Sequence, residues 1–132
     1  MLAEIEEKEG VMTGKVEALC RGREPIARAK ILGTGELCEI SGTVSFFYTP
    51  IGILVAAHVW GLDGGAYSMS ITEYGGRTQE LKTLYDKNGY AWCADVTGRL
   101  SARELAKSRI DLCKLGSGGG SVATGNVKKC AP

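Results

Sequence analysis

Nineteen glycines, against three prolines, are spread through 132 residues and leave no long uninterrupted stretch for a helix. Each internal glycine costs a helix roughly 1 kcal/mol, so a chain punctuated this way is expected to fold into turns and short strands. The segments between the glycines carry the composition of strands. Gly42 to Thr49 is rich in β-branched and aromatic residues, types that suit a pleated, half-buried surface. Ile53 to Trp60 follows the turn Pro50-Ile51-Gly52. Period-2 alternation places Ile53, Val55, Ala57 and Val59 toward a core, and Leu54, Ala56, His58 and Trp60 outward. On that pattern His58 is a solvated surface histidine.

Further strands are expected at Ile26 to Leu32, Tyr67 to Glu73, Tyr90 to Val96, Lys107 to Cys113 and Val127 to Cys130. Between them lie the turn residues Gly33-Thr34-Gly35, Gly61 to Gly65 and Asn88-Gly89, the last a dipeptide suited to a tight hairpin. The polar stretch between Gly75 and Asn88 reads as a loop, as does the glycine-rich run Gly116 to Gly125. Ser101 and Glu104 have capping-box spacing and predict one helical turn. Seven or eight strands joined by glycine turns point to an all-β antiparallel sandwich or barrel. Residues 1–24 differ in pattern, since Gly10 and Gly14 interrupt the only helical candidate there. They read as an N-terminal arm before a single domain at 25–132.

Composition excludes several functions. Sixteen Lys and Arg against fifteen Asp and Glu give a net charge of +1, without the cationic excess expected of a nucleic-acid binder. The opening decapeptide carries four Glu and one Lys, unlike a secretory leader. The longest apolar run, Ile51 to Trp60, is half the ~20 residues of a membrane span. A cytoplasmic, membrane-free protein is the expectation. One histidine, His58, rules out a polyhistidine metal site and leaves a single base for any Cys-His or Ser-His mechanism. Nothing in the pattern brings His58 to Cys20, Cys93 or Cys113. Five cysteines with no C-x-x-C pair fit neither a disulfide framework nor a zinc finger, although a Cys113–Cys130 bridge stays open. Gly118 to Ala123 fits G-x-G-x-x-A, but no acidic residue lies ~20 positions on, so it is no dinucleotide fingerprint.

The run Gly61-Leu62-Asp63-Gly64-Gly65-Ala66-Tyr67-Ser68-Met69-Ser70-Ile71-Thr72-Glu73-Tyr74-Gly75 resembles the copper/zinc superoxide dismutase signature, Gly-Leu, seven residues, then His-x-His-Glu-Phe-Gly. Gly42 to Phe46, Ala106 to Leu112, and the closing run from Leu115-Gly116 to Cys130 resemble other segments of that family in the same order, covering residues 25–131. The resemblance implies a Greek-key β-barrel with shortened loops. It also implies copper ligands at Ser70, Thr72 and Leu112, where this chain has none. The family's zinc loop would fall between Gly75 and Tyr90, which holds no histidine, and its superoxide-guiding arginine at Val127, beside Lys128. Cys130 matches the strand half of the family disulfide, and the loop half has no counterpart. The expectation is therefore a superoxide dismutase-like protein without copper, zinc or other cofactor, catalytically inactive and serving as a binding or structural module. Outward Trp60, with His58, is the candidate interface for a homodimer or protein partner, unless the N-terminal arm covers it. The alternative is a metalloprotein whose thiolates Cys93, Cys113 and Cys130 hold copper or zinc.

Overall fold

The computed structural model describes residues 24–34, 39–116 and 120–130. Residues 1–23, which make up nearly all of the expected arm, lie outside the described residues, as do Cys20, Cys38 and part of the glycine-rich run. The strands are β1 (Ala27–Gly33), β2 (Ser41–Thr49), β3 (Gly52–Trp60), β4 (Ala66–Thr72), β5 (Thr78–Glu80), β6 (Leu84–Tyr85), β7 (Tyr90–Thr97), β8 (Arg109–Lys114) and β9 (Ala123–Lys129), with one helical turn, α1 (Ala102–Leu105). All pair antiparallel in one sheet, in the order β5-β4-β8-β9-β1-β2-β3-β7, with β6 beside β4. The sheet curls into a half-barrel around its inner face. Among the described residues no helix is long and apolar enough to cross a membrane.

Alternation builds the core. Ala29 and Ile31 of β1, Val44 and Phe46 of β2, Val55, Ala57 and Val59 of β3, Tyr67, Met69 and Ile71 of β4, Ile110 and Leu112 of β8, and Val127 of β9 are all buried in one cluster. The inward set expected for β3 is correct. One row of this inner face explains the curl. Register links Ile71, Ile110 and Gly125, and Ile31, Gly42, Val59 and Ala91 continue it across β1, β2, β3 and β7. Large side chains thus sit beside glycines, and at both glycines the neighbouring backbone comes too close for a Cβ. A methyl on Gly125 would stand 2.2 Å from the Lys30 carbonyl oxygen, and one on Gly42 2.3 Å from that of His58. Glycine inside a strand marks such close approaches.

Several expectations need correction. The final strand begins at Ala123 rather than Val127, because Ala123 to Gly125, read as loop for their glycine, pair with β8. The supposed loop after Gly75 contains β5 and β6, both held by pairing to β4. Ser101 stands at the N-cap of α1 in extended conformation but makes no side-chain cap bond; its carbonyl receives the Glu104 N–H instead. The Asn88-Gly89 turn is as expected: both residues have positive φ, 57° and 87°, and Lys87 bridges to Tyr90.

Candidate functional site

The outer face of β9, β1, β2, β3 and β7 divides into two ends. Toward the start of β3, Leu54 and Ala56 are buried although they point away from the core, with Ala94 beside them on β7. Toward its end the face opens onto aromatic rings. His58 and Trp60 alternate on β3, and the register sets them directly opposite Trp92 and Tyr90 of β7. Cross-strand pairs on one face are near neighbours, so all four rings meet. Trp60 and Tyr90 have centroids 5.3 Å apart, and His58 lies 6.2, 6.2 and 6.1 Å from Trp60, Tyr90 and Trp92. His58 Nδ1 is 2.7 Å from the Tyr90 hydroxyl oxygen.

This partner, and burial among the rings, corrects the expectation of a solvated surface histidine. Loss of hydration holds the His58 pKa below its ordinary 6.5, because burial disfavours the charged imidazole. The ring is therefore neutral at physiological pH and acts as an aromatic plane. Trp60 remains 50% exposed. Ser41 and Thr43 of β2 face Trp60 and His58 across the ladder and place a hydroxyl strip beside the rings.

Beyond that strip lies a group of cations that sequence reasoning missed. Arg28 and Lys30 point outward from β1, opposite Ser45 and Thr43, and Lys128 of β9 is paired with Arg28. With Arg109, Lys129 and Asn126 they line an open groove of about 670 Å³. Arg109 is held by Asp111 at 2.9 Å. The i, i+2 spacing of Arg28 and Lys30 was the only local signal, and its partners lie a hundred residues away.

The metal positions implied by the resemblance do not converge. Ser70 and Thr72 alternate with buried Met69 and Ile71 and so face outward on β4. Leu112 is fully buried opposite Met69. It points to the other side of the sheet, and the residue facing Ser70 across the ladder is Asp111. The thiols are equally scattered. Cys93 lies on the inner face of β7 opposite Ala57, and Cys113 is on the outer face opposite Ser68. Cys130 follows the far end of β9, where its N–H reaches the Ile26 carbonyl. Because Val122 pairs near Leu112, the eight residues on to Cys130 span about 25 Å of strand. This is too far for a Cys113–Cys130 bridge, which needs Cα atoms within about 7 Å. Among the described residues no three His, Cys, Asp or Glu stand close enough to hold a metal ion, which removes the shared thiolate site.

Burial pushes the Cys93 thiol up to about 11, leaving almost no thiolate at neutral pH. With the native protein in iodoacetamide at pH 7.5, peptide mapping is expected to find Cys113 and Cys130 alkylated well before Cys93. Cys93 should react at a comparable rate only in denaturant. Equal labelling of all three in the native state would contradict the burial.

One carboxyl pair lies at the opposite edge. Glu73, buried after β4, accepts bonds from Gln79 Nε2 at 2.7 Å and Arg77 Nη2 at 3.3 Å. A hydrogen bond from the exposed Glu104 of α1 to Glu73, and the charge of Glu73, hold the Glu104 carboxyl above its usual range. A raised carboxyl pKa means that the fold favours the proton. The stabilisation is complete below the unfolded value of about 4.3 and is lost as pH rises through the folded value. Glu104→Gln keeps a donor at every pH and removes the repulsion. It is expected to melt higher than the parent at pH 7, with the difference vanishing near pH 4 in thermal scans.

A scan against known protein families finds no match for this chain, and no curated protein matches it either.

Proposed function

We propose that the chain is a non-catalytic binding module on a barrel of the copper/zinc superoxide dismutase type, with the aromatic end of its outer face as the working surface. Strand order supports the architecture. β3 neighbours β7 rather than β4, and β4 pairs with β8, so the β3–β4, β6–β7 and β7–β8 connections all cross between the halves, the kind of connection that makes a Greek key. Donor chemistry supports the loss of catalysis. Dismutation needs an ion that cycles between oxidation states, and imidazoles hold copper for that work. The hydroxyls of Ser70 and Thr72 are poor copper donors, and Leu112 offers no donor atom.

The observation that carries the binding reading is Trp60. Its ring is half exposed at the end of a paired strand, against Tyr90 and His58. A rigid, partly desolvated aromatic of this kind is the usual anchor of an interface. Trp60→Ala is expected to cost only about 1 kcal/mol, the worth of its ring contacts. In the same preparations superoxide should decay at the uncatalysed rate after equilibration with copper and zinc. A loss of 3–5 kcal/mol, the scale of a core aromatic deletion, would make Trp60 a structural residue. Enzymatic dismutation would overturn the reading altogether.

A further inference from the structure

The outer face combines two things that the binding reading does not require of each other: stacked rings at one side and, at the other, cations of which Arg28, Lys30 and Lys128 have no carboxylate partner among the described residues. From β9 to β7 the outward positions are Thr124, Asn126 and Lys128; Arg28, Lys30 and Leu32; Ser41, Thr43, Ser45 and Phe47; Leu54, Ala56, His58 and Trp60; and Tyr90, Trp92, Ala94 and Val96. None of them is acidic. The near-neutral total of the chain therefore conceals a segregated surface. Asp111 on β8, a carboxylate next to it, is engaged by Arg109 and by the Ser121 hydroxyl. One cross-strand row runs Lys30, Thr43, His58, Trp92. Adjacent strands stand about 4.8 Å apart, so Lys30 and His58 are about 10 Å apart along this row.

Resting on the binding reading above, the geometry points to single-stranded nucleic acid as the ligand. The phosphates lie along Arg28, Lys30, Lys128 and Arg109, which line the groove, the sugars cross the Ser41–Thr43 strip, and the bases stack on Trp60 and the His58–Tyr90–Trp92 cluster. A cationic groove that follows the backbone beside aromatic planes that accept any base is the design of sequence-tolerant single-strand binding. A duplex fits poorly, because its bases are stacked inside and cannot reach the rings. A sulfated glycan would use the cations but not require base stacking.

The test uses the full chain and a fluorescein-labelled, unstructured oligonucleotide of about 12 residues, oligo-dT or oligo-rU, read by anisotropy and by quenching of tryptophan emission. Binding is expected with quenching and with a slope of log K against log salt near −3, the value for about four phosphate contacts at ~0.7 each. Trp60→Ala is expected to weaken binding about tenfold while the salt slope stays unchanged. Lys30→Gln with Lys128→Gln should reduce the slope by about 1.4 and leave quenching at saturation intact. A blunt duplex of the same length should bind at least about tenfold more weakly. Circular dichroism melts confirm that each variant is folded. The inference is overturned by no binding at low salt, by affinity indifferent to Trp60, or by duplex or heparin oligosaccharide binding as well as the single strand. If oligonucleotides fail but light scattering finds a dimer that Trp60→Ala dissociates, the nucleic-acid inference falls and the binding module stands with a second copy as partner. If neither is seen, both fall.

Discussion

Replacing Gly125 by alanine is expected to destabilise the domain by at least ~3 kcal/mol, a large share of the 5–15 kcal/mol available to a domain of this size. The added methyl would lie 2.2 Å from the Lys30 carbonyl oxygen and 2.9 Å from Ile31 Cδ1. The first contact is with backbone and cannot be relieved by a rotamer. It could be relieved only by moving β9 off β1, and that ladder joins the β5-β4-β8-β9 half of the sheet to the β1-β2-β3-β7 half. The damage is therefore global. Urea melts should show a lower midpoint, and a lower m-value if the two halves separate before unfolding. Gly98→Ala is the control: nothing lies within 4 Å of its Cβ position, so a change within about 0.5 kcal/mol is expected. Equal effects at the two sites would mean that conformational entropy, and not close approach, explains Gly125.

Gly125 also shows why part of the fold was legible in the sequence and part was not. β2 and β3 could be read directly, since alternation and β-branched content are local and the core they face decides which residues are buried. The Asn88-Gly89 turn was legible because its positive φ values are a property of those two residues. Gly125 carries the opposite message to its local one. In isolation glycine reads as loop, and only the Lys30 backbone, from the other end of the chain, makes it a strand residue. β5 and β6 were hidden for a related reason: their few residues have no pattern of their own and are ordered by β4. The candidate site follows the same rule. Trp60 and His58 were visible as outward residues of one strand. Their partners Tyr90 and Trp92 have the same two-residue spacing, but nothing local ties them to β3; only the β3–β7 pairing does. The cations were invisible, because net charge sums over a chain whose charges the β1–β9 pairing sorts in space.

Introducing histidine at Leu112 is the second large effect, and it tests the register of β8 against β4. Leu112 is fully buried against Met69. Truncating a leucine in such a place costs about 2–5 kcal/mol, and an imidazole there would add an unpaired polar group worth about 1–3 kcal/mol. Leu112→His is thus expected to unfold much of the protein at room temperature and to gain no copper, since a lone imidazole among apolar side chains cannot hold the ion. Histidines at Ser70, Thr72 and Asp111 should behave oppositely. Ser70 and Asp111 are direct cross-strand neighbours, with Cβ atoms about 5 Å apart, and Thr72 follows Ser70 by about 7 Å on the same face. Three imidazoles so placed can reach one ion at ~2 Å, and the interactions given up are the exposed Arg109–Asp111 pair, worth at most about 1 kcal/mol, the bond from the Ser121 hydroxyl to Asp111 and the exposed Thr72–Thr78 hydroxyl bond. The triple variant is expected to stay folded and to take up one equivalent of zinc or copper by equilibrium dialysis. A one-residue slip of β8 would exchange the two faces of that strand and reverse these outcomes. A stable Leu112→His protein beside an unfolded triple variant would therefore show that β8 is paired one residue away from the register described, with Leu112 on the outer face beside Ser70.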